Sequence, residues 1–219
     1  MNCIVTAGPT YEPLDDVRRL TNFSTGRLGT ELANFLVAHG HHVTLLLGVM
    51  ATHAGERNAQ TVKYFTTTAD LQAKLKSFSG KKVDAIFHAA AVSDFGFGQI
   101  FTETRPGEFT ALPASKKIST RQGAMLVELL PTPKIISKLR GWFPRTTIAG
   151  WKYEADGKRA DALDAARRQI ADCSINACVA NGPAYGSGFG LVTATRATHF
   201  AGRQKLFIAL EKILKPASR

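Results

Sequence analysis

The chain has 219 residues, of which 44% are hydrophobic and 21% charged, a balance typical of a globular domain and not of disordered, collagen-like or coiled-coil chains. Lys and Arg number 28 against 17 Asp and Glu, and the resulting net charge of +11 favours an anionic partner such as a phosphate or nucleotide. The basic residues form no run of four or more and the Phe residues show no base-stacking pattern, so we expect no nucleic-acid partner.

The apolar segments are too short for a membrane span, which requires roughly 20 residues. The longest of them, 43–51, is interrupted by Thr44 and Gly48. The N-terminus starts with a strand-like run and shows no secretory signal, so the sequence predicts a cytoplasmic protein without a membrane partner. The cysteines form no CxxC pair, which favours buried free thiols over a disulfide framework or a zinc site.

Apolar and β-branched runs alternate with amphipathic segments along the chain. Strands are predicted at 2–7, 43–47, 62–65, 83–88, 146–151 and 175–180. Helices are predicted from 26 to a stop at Gly40, and at 68–77, 158–171 and 204–214, with Ser24 or Thr25 as the N-cap of the first. This alternation predicts an α/β fold, a Rossmann-like, doubly wound and mostly parallel sheet in a single nucleotide-binding domain, 1–219.

One segment interrupts the alternation. Residues 91–123 contain scattered Gly, Ser, Thr and Lys with little periodicity, and the segment is far longer than an ordinary connection. We predict a long flap insertion here that carries function. A surface loop without a role is the alternative.

Glycines mark the end of the first strand and the start of the first helix. Gly8 follows the strand, whereas Gly26 and Gly29 open the helix after a long loop. This arrangement resembles a split dinucleotide fingerprint, in which glycines let backbone approach a phosphate at a helix N-terminus. Tight turning and close helix-to-sheet packing are the alternative explanation.

Two absences argue against an ordinary NAD-dependent enzyme. The second strand ends at 46–48 without the acidic residue that would hold the ribose, and no Tyr is followed by Lys four positions later. An NADP-linked Rossmann-type reductase and a catalytically inactive nucleotide-binding protein of the same fold nevertheless remain alternatives.

The segment 5–29, VTAGPTYEPLDDVRRLTNFSTGRLG, closely resembles the opening of the phosphopantothenoylcysteine synthetase (phosphopantothenate-cysteine ligase) family of coenzyme A biosynthesis. The resemblance continues in HAAAVSDF (88–95), KIS (117–119), LPTP (130–133), GW (150–151), VAN (179–181) and GFG (188–190). Family members are often fused behind a flavin-dependent decarboxylase. Because Met1 stands beside the first strand here, the sequence predicts the free-standing form.

The resemblance implies a ligase that joins L-cysteine to 4'-phosphopantothenate through an acyl-nucleotide formed from CTP or ATP, with Mg²⁺, in a homodimer. Positioning and electrostatics would do most of the work in such a reaction, without a covalent nucleophile. Arg167 and Arg168 stand where CTP-using bacterial members carry two lysines, and Gly182 stands where they carry Asp. The choice between CTP and ATP therefore stays open.

The resemblance also implies roles for individual residues. Asn22 and Lys117 are the expected catalytic groups, Asn22 donating to the carboxylate or acyl carbonyl and Lys117 placing a cation over the phosphates. Arg18, Asn22 and Asn181 are expected to bind substrate, and Asp94 to meet a phosphate-bound Mg²⁺. The expected nucleotide-binding residues are Gly8, Ser24, Gly26, Ala89, Ala90, Asp94, Lys117, Leu130, Pro131, Thr132, Pro133, Trp151 and Arg167.

Each of these residues also has an ordinary structural explanation. Asn22 is typical of a turn, Lys117 of a solvated loop, and Arg18 of a surface ion pair. Trp151 ends an apolar strand, where a Trp is usually part of the core. His88 lies on an apolar strand and is expected to be a buried core histidine and not an acid-base group.

Overall fold

The computed structural model describes residues 1–113, 117–119, 121 and 123–214. The remaining positions of the predicted flap, 114–116, 120 and 122, lie outside the described residues. The strands are β1 (Asn2–Ala7), β2 (Tyr11–Pro13), β3 (Arg19–Thr21), β4 (His42–Gly48), β5 (Thr61–Phe65), β6 (Ala85–His88), β7 (Phe95–Arg105), β8 (Glu108–Ala111), β9 (Met125–Pro131), β10 (Thr147–Tyr153), β11 (Ala177–Asn181), β12 (Phe189–Thr193) and β13 (Ala197–Phe200). The helices are α1 (Arg27–Ala38), α2 (Thr68–Lys76), α3 (Ile135–Trp142), α4 (Arg159–Cys173) and α5 (Arg203–Lys212).

A central sheet of eight strands runs in the order β13-β12-β11-β10-β6-β1-β4-β5. The strands from β11 to β5 in this order pair in parallel, whereas β12 and β13 join the β11 edge as an antiparallel pair. The prediction of an α/β fold with a mostly parallel sheet is confirmed. Parallel pairing requires crossover helices, and these cover both faces of the sheet.

Alternate residues of each central strand enter two separate cores. Val5 faces the core formed with α1 and α5, where Leu36 and Leu206 are buried. Ile4 faces the core formed with α2, α3 and α4, where Leu71 and Leu139 are buried. Since each fully buried large apolar side chain stabilises the fold by about 1.5–3 kcal/mol, this two-faced burial holds the sheet at the middle of the molecule.

The start of α1 differs from the prediction. Gly26, and not Ser24 or Thr25, is the N-cap, with a left-handed φ of 78° and without a side-chain cap. Thr25 Oγ1 instead accepts a 3.3 Å hydrogen bond from the Arg27 amide. The loop enters the helix through a backbone conformation that only glycine adopts readily, so the hydroxyl-cap pattern gave the wrong residue.

The insertion at 91–123 is more ordered than its composition suggests. Strands β7 and β8 lie within it and pair with β9 in a separate antiparallel sheet of order β8-β7-β9. Periodicity missed these strands because neither face of β7 is buried over its whole length, so apolar and polar residues do not alternate regularly. The small β2–β3 hairpin, α3, β12 and β13 were likewise not predicted.

Among the helices of the described ranges, not one combines the length and the apolar character needed to cross a bilayer.

Candidate functional site

The order of the sheet reverses at β1, which has β4 on one side and β6 on the other. In open α/β sheets, ligands bind beyond the carboxyl ends of the strands at such a reversal. The loops that leave β1 and β6 continue side by side through an isolated parallel bridge between Pro9 and Ala91. We call the space above these two loops the switch-point crevice.

Backbone hydrogen bonds join the two loops beneath the crevice. The Ala91 amide donates to the Gly8 carbonyl at 3.0 Å, and the Thr10 amide donates to the Ala91 carbonyl at 3.1 Å. The exposed Asn22 side chain donates from Nδ2 to the same Ala91 carbonyl at 3.2 Å. The structure therefore brings Asn22 from the enlarged loop to the crevice, at the junction of the two central strands.

Gly8 and Gly26 pack against one another beside the N-terminus of α1. Both have left-handed backbones, with φ of 80° and 78°. A Cβ on Gly26 would lie 3.3 Å from the Gly8 Cα and 2.9 Å from the Ala51 Cβ. Glycine is thus required here for close approach, and the first amides of α1, whose first turn has no acidic residue, begin at this turn. Such a helix start favours an anion.

A buried pair of polar side chains orients the end of β6. Thr6 Oγ1 and His88 Nδ1 lie 3.0 Å apart, and Thr6 Oγ1 also accepts from the Ala90 amide at 3.1 Å. Burial lowers the pKa of His88 to about 4, so the imidazole is neutral at pH 7. The expectation of a core histidine agrees with this position. The pair holds Ala89 and Ala90, both half-buried, at the rim of the crevice.

A second polar network, which sequence reasoning missed, secures the first turn after β6. Thr10 Oγ1 lies 3.3 Å from Thr68 Oγ1 and 3.2 Å from Ser93 Oγ, and accepts from the Ser93 amide at 2.8 Å. Glu12 accepts from the Thr68 amide at 2.9 Å. The signal available in the sequence was the cluster of small hydroxyl residues beside the strand ends.

The 130–133 segment meets the crevice through Asp94. The Thr132 amide donates to the Asp94 carbonyl at 2.9 Å, and the Thr132 hydroxyl donates to the Ser93 carbonyl. The Asp94 side chain is exposed. Three neighbours of Thr132 are also exposed, namely Leu130, Pro131 and Pro133.

The residues predicted from later strands lie further along the sheet edge. Trp151 is half-buried against the core, and its Nε1 is buried without an acceptor among the described residues. Asn181 ends β11, where its carbonyl accepts from the Glu154 amide at 2.9 Å. Arg167 lies midway along α4 and pairs with Asp164 of the same helix at 2.6 Å. The structure thus gives the exposed Arg167 side chain a partner on its own helix.

Arg18 has partners within the chain. Its guanidinium binds the Asp15 carboxylate through Nε at 3.1 Å and Nη2 at 2.5 Å, and Nη2 also donates to the Ile118 carbonyl at 2.9 Å. These bonds hold the pKa of Asp15 far below its usual range. Lys117 is exposed next to Ile118. Arg18 therefore forms an ion pair through Nε and Nη2, as the alternative explanation for this residue expected.

Gly182 accounts for one departure from the related family pattern. Its φ is 110°, and a Cβ there would lie 2.4 Å from the Glu154 carbonyl oxygen and 2.9 Å from the Glu154 nitrogen. An aspartate does not fit this backbone. Glycine is needed at position 182 because the Glu154 backbone lies too close for a side chain.

The family profile described as "DNA/pantothenate metabolism flavoprotein C-terminal domain" matches residues 1–216. The coenzyme A biosynthesis bifunctional protein CoaBC of Thermococcus kodakarensis is 33% identical over 178 residues, which is 81% of this chain and 40% of that protein.

Solved structures show the same fold. The DNA/pantothenate metabolism flavoprotein from Streptococcus pneumoniae superposes with a TM-score of 0.83 at 25% identity, over 97% of this chain and 98% of that one. A Cab2 mutant in complex with phosphopantothenate-cysteine superposes with a TM-score of 0.72 at 19% identity, over 97% and 87% of the two chains. The chain spans about two fifths of the length of the curated relatives it matches.

Proposed function

This chain belongs to the family of the DNA/pantothenate metabolism flavoprotein C-terminal domain, and on that premise we propose that it ligates L-cysteine to 4'-phosphopantothenate. The observation that carries the proposal is the placement of Asn22 on the Ala91 carbonyl, at the switch-point crevice, beside the glycine-lined N-terminus of α1. A triphosphate and a carboxylate would meet at this point. Relatives of this chain function in coenzyme A biosynthesis by name.

The first proposed step activates the carboxylate. An oxygen of the phosphopantothenate carboxylate attacks the α-phosphorus of CTP or ATP, and pyrophosphate leaves, which forms an acyl-nucleotide. Negative charge spreads over the phosphate oxygens in this step, so cationic and N–H groups accelerate it. Gly8, Gly26 and the start of α1 would receive phosphates, and the exposed Lys117 would supply a positive charge.

The second proposed step forms the amide. The amine of L-cysteine attacks the acyl carbonyl, the nucleoside monophosphate leaves with the bonding electrons, and the amine proton is released. In this proposal the Asn22 amide stabilises the carbonyl oxygen of the acyl-nucleotide. Because this side chain already donates one Nδ2 hydrogen to Ala91, its second N–H is held in a defined direction.

Mg²⁺ would enter with the triphosphate. Among the described residues, no group of three or more His, Cys, Asp and Glu side chains could hold a metal ion alone. A single carboxylate near the phosphates is sufficient for Mg²⁺, which keeps several waters and phosphate oxygens as ligands. The exposed Asp94 carboxylate fits this role, and the ion would neutralise triphosphate charge.

The remaining predicted residues would complete the nucleotide and substrate sites. We propose that Leu130, Pro131, Thr132 and Pro133 and the nearby Ala89 and Ala90 contact the nucleotide base, with Trp151 behind them. Ser24 would lie beside the phosphates, and Asn181 beside the substrate. Arg167 is the weakest candidate, because Asp164 on its own helix already accepts from it.

Product formation tests the proposal directly. The purified chain is incubated with 4'-phosphopantothenate, L-cysteine, Mg²⁺ and either CTP or ATP, and the expected product, phosphopantothenoylcysteine, is measured by mass spectrometry. Pyrophosphate released without cysteine would report the first step alone. Absence of product with both nucleotides would refute the proposal, whereas a preference for ATP would decide only the base.

We also propose that two copies form a dimer through the β8-β7-β9 sheet. Large apolar side chains on this sheet are exposed and would be covered by the same sheet of a second copy. Light scattering should give twice the chain mass, and Leu126→Lys should shift the protein to monomer with an unchanged circular dichroism spectrum and a melting temperature that no longer rises with protein concentration. Phe109 and Leu126 are exposed on the same face of this sheet.

A further inference from the structure

Asp15 joins the loop before β3 to the segment that carries Lys117. Its Oδ1 accepts from the amides of Val17 and Arg18 at 2.9 and 2.7 Å, so the carboxylate also closes its own turn. Its Oδ2 accepts from the Ile118 amide at 3.1 Å and from the Arg18 guanidinium at 3.1 and 2.5 Å. The Asp15 side chain is completely shielded from solvent.

Both backbone groups of Ile118 are therefore held by one ion pair. Asp15 accepts from the Ile118 N–H, and Arg18 Nη2 donates to the Ile118 carbonyl at 2.9 Å. We call these three residues the Asp15 clasp. Paired backbone bonds of this kind fix both the position and the direction of a peptide, as in a β-ladder. The Ile118 N–H belongs to the peptide unit that joins it to Lys117, so the same bonds orient the Lys117 backbone.

The side chain of Ile118 is not packed on all sides by its apolar neighbours. Its side chain is buried, yet it lines a cavity of about 300 Å³. Since packing contacts are lost where a cavity opens, the ion pair supplies positional constraint that the side chain does not.

We propose that Asp15 is a positioning residue for the ligase reaction, which acts by fixing Lys117 through Arg18 and the Ile118 backbone. The expected effect on turnover rests on the proposed function, whereas the hydrogen bonds of the Asp15 clasp do not depend on it. Asp15 makes no contact with substrate in this scheme. Its ionised form is required, because a protonated or amide side chain loses acceptors for the five hydrogen bonds described above.

The test compares Asp15→Asn with Asp16→Asn, which makes the same charge change at the exposed neighbouring position. Hydrogen exchange of the peptide that contains residues 117–119 should accelerate in Asp15→Asn and stay at the wild-type rate in Asp16→Asn. Turnover with saturating substrates should fall by about 10²-fold in Asp15→Asn, since small displacements of reacting groups have effects of this size.

A double variant separates positioning from general destabilisation. If Asp15 acts through Lys117, Asp15→Asn combined with Lys117→Gln should be no slower than Lys117→Gln alone. Independent losses that multiply would overturn the inference, as would unchanged exchange at 117–119. Should Asp15→Asn fail to fold, Asp15→Glu in the same cycle provides the comparison.

Failure of the proposed function gives a different result. A wild-type chain that makes no phosphopantothenoylcysteine overturns the proposed function and the catalytic consequence of the clasp. Exchange at 117–119 still decides whether the clasp exists, because it is measured without turnover. An active wild type with full activity in Asp15→Asn overturns the positioning role alone.

Discussion

Helix α1 approaches the central strand most closely at Gly29, and a single methyl group there should separate them. A Cβ built on Gly29 would lie 2.6 Å from the Ala7 Cβ, 3.0 Å from the Thr6 carbonyl oxygen and 3.2 Å from the Ala7 Cα. Carbon atoms pack at about 3.5–4.0 Å, so Gly29→Ala requires a shift of about 1 Å between helix and strand. All three atoms belong to the buried strand β1, whose neighbouring strands and helices leave it no room to move.

The cost follows from two opposing terms. Overpacking of this kind destabilises by about 1–3 kcal/mol, whereas replacing Gly by Ala in a helix gains up to about 1 kcal/mol. The clash involves backbone atoms and the Ala7 Cβ, so the overpacking should lie in the upper part of its range, about 2–3 kcal/mol. We therefore expect a net loss of about 1–2 kcal/mol, which corresponds to about 2–8 °C in melting temperature for a chain of this size. The shift moves the N-terminus of α1 relative to Gly8, so nucleotide affinity should weaken as well.

Gly141→Ala is the matched control. Gly141 lies in α3, and a Cβ there would meet no atom within 4 Å. The control should therefore be equal to or more stable than the wild type, by up to about 1 kcal/mol, with unchanged nucleotide affinity. Thermal and urea unfolding measure both variants, and nucleotide titration measures the site. Wild-type stability and affinity in Gly29→Ala would refute the packing argument.

Other expected outcomes concern charge and the chemistry of the site. Lys117→Gln and Asn22→Asp should each reduce ligase turnover by about 10²-fold with an unchanged melting temperature. The control Lys81→Gln, at a position remote from the crevice, should have no effect on turnover. Rates close to wild type in both site variants would show that Lys117 and Asn22 are ordinary loop residues. Because burial lowers the folded pKa of His88 to about 4, only the unfolded chain gains this proton as the pH falls from about 6.5 to 4, so the free energy of unfolding should fall with decreasing pH. The free energy of unfolding, measured in urea at several pH values, should depend less steeply on pH in His88→Gln than in the wild type, by up to about 1.4 kcal/mol per pH unit in this window. The same pH dependence in both proteins would contradict a lowered pKa for His88. Burial raises the pKa of Cys3 to about 11, so labelling of the Cys3 thiol at pH 8 should be about 100-fold or more slower in the native protein than in the denatured chain. Fast labelling of Cys3 in the native protein would show an accessible thiolate.

The sequence determined the main α/β architecture, because buried strands and amphipathic helices each have a local pattern of apolar residues. Buried strands such as β1 and β6 are short, mostly apolar runs, and α1, which lies between β1 and β4, has apolar residues at helical spacing. The glycines at 8 and 26 predicted a phosphate-type turn, and the structure places them in contact. The resemblance to a synthetase family likewise required only the order of residues, and the family match supports it.

Tertiary structure decided what depends on distant neighbours. Strands β7 and β8 pair across an insertion whose sequence lacks alternation, because they form a small sheet with exposed positions on both faces. The sequence offered an ion pair as one explanation for Arg18 but could not identify its partners: Nε and Nη2 bind Asp15, and Nη2 also binds the carbonyl of Ile118, 100 residues away. Local sequence predicts which residues carry charge. Only the folded chain determines which of those charges already have a partner, since hydrogen bonds of this kind join segments that are remote in sequence and close in space.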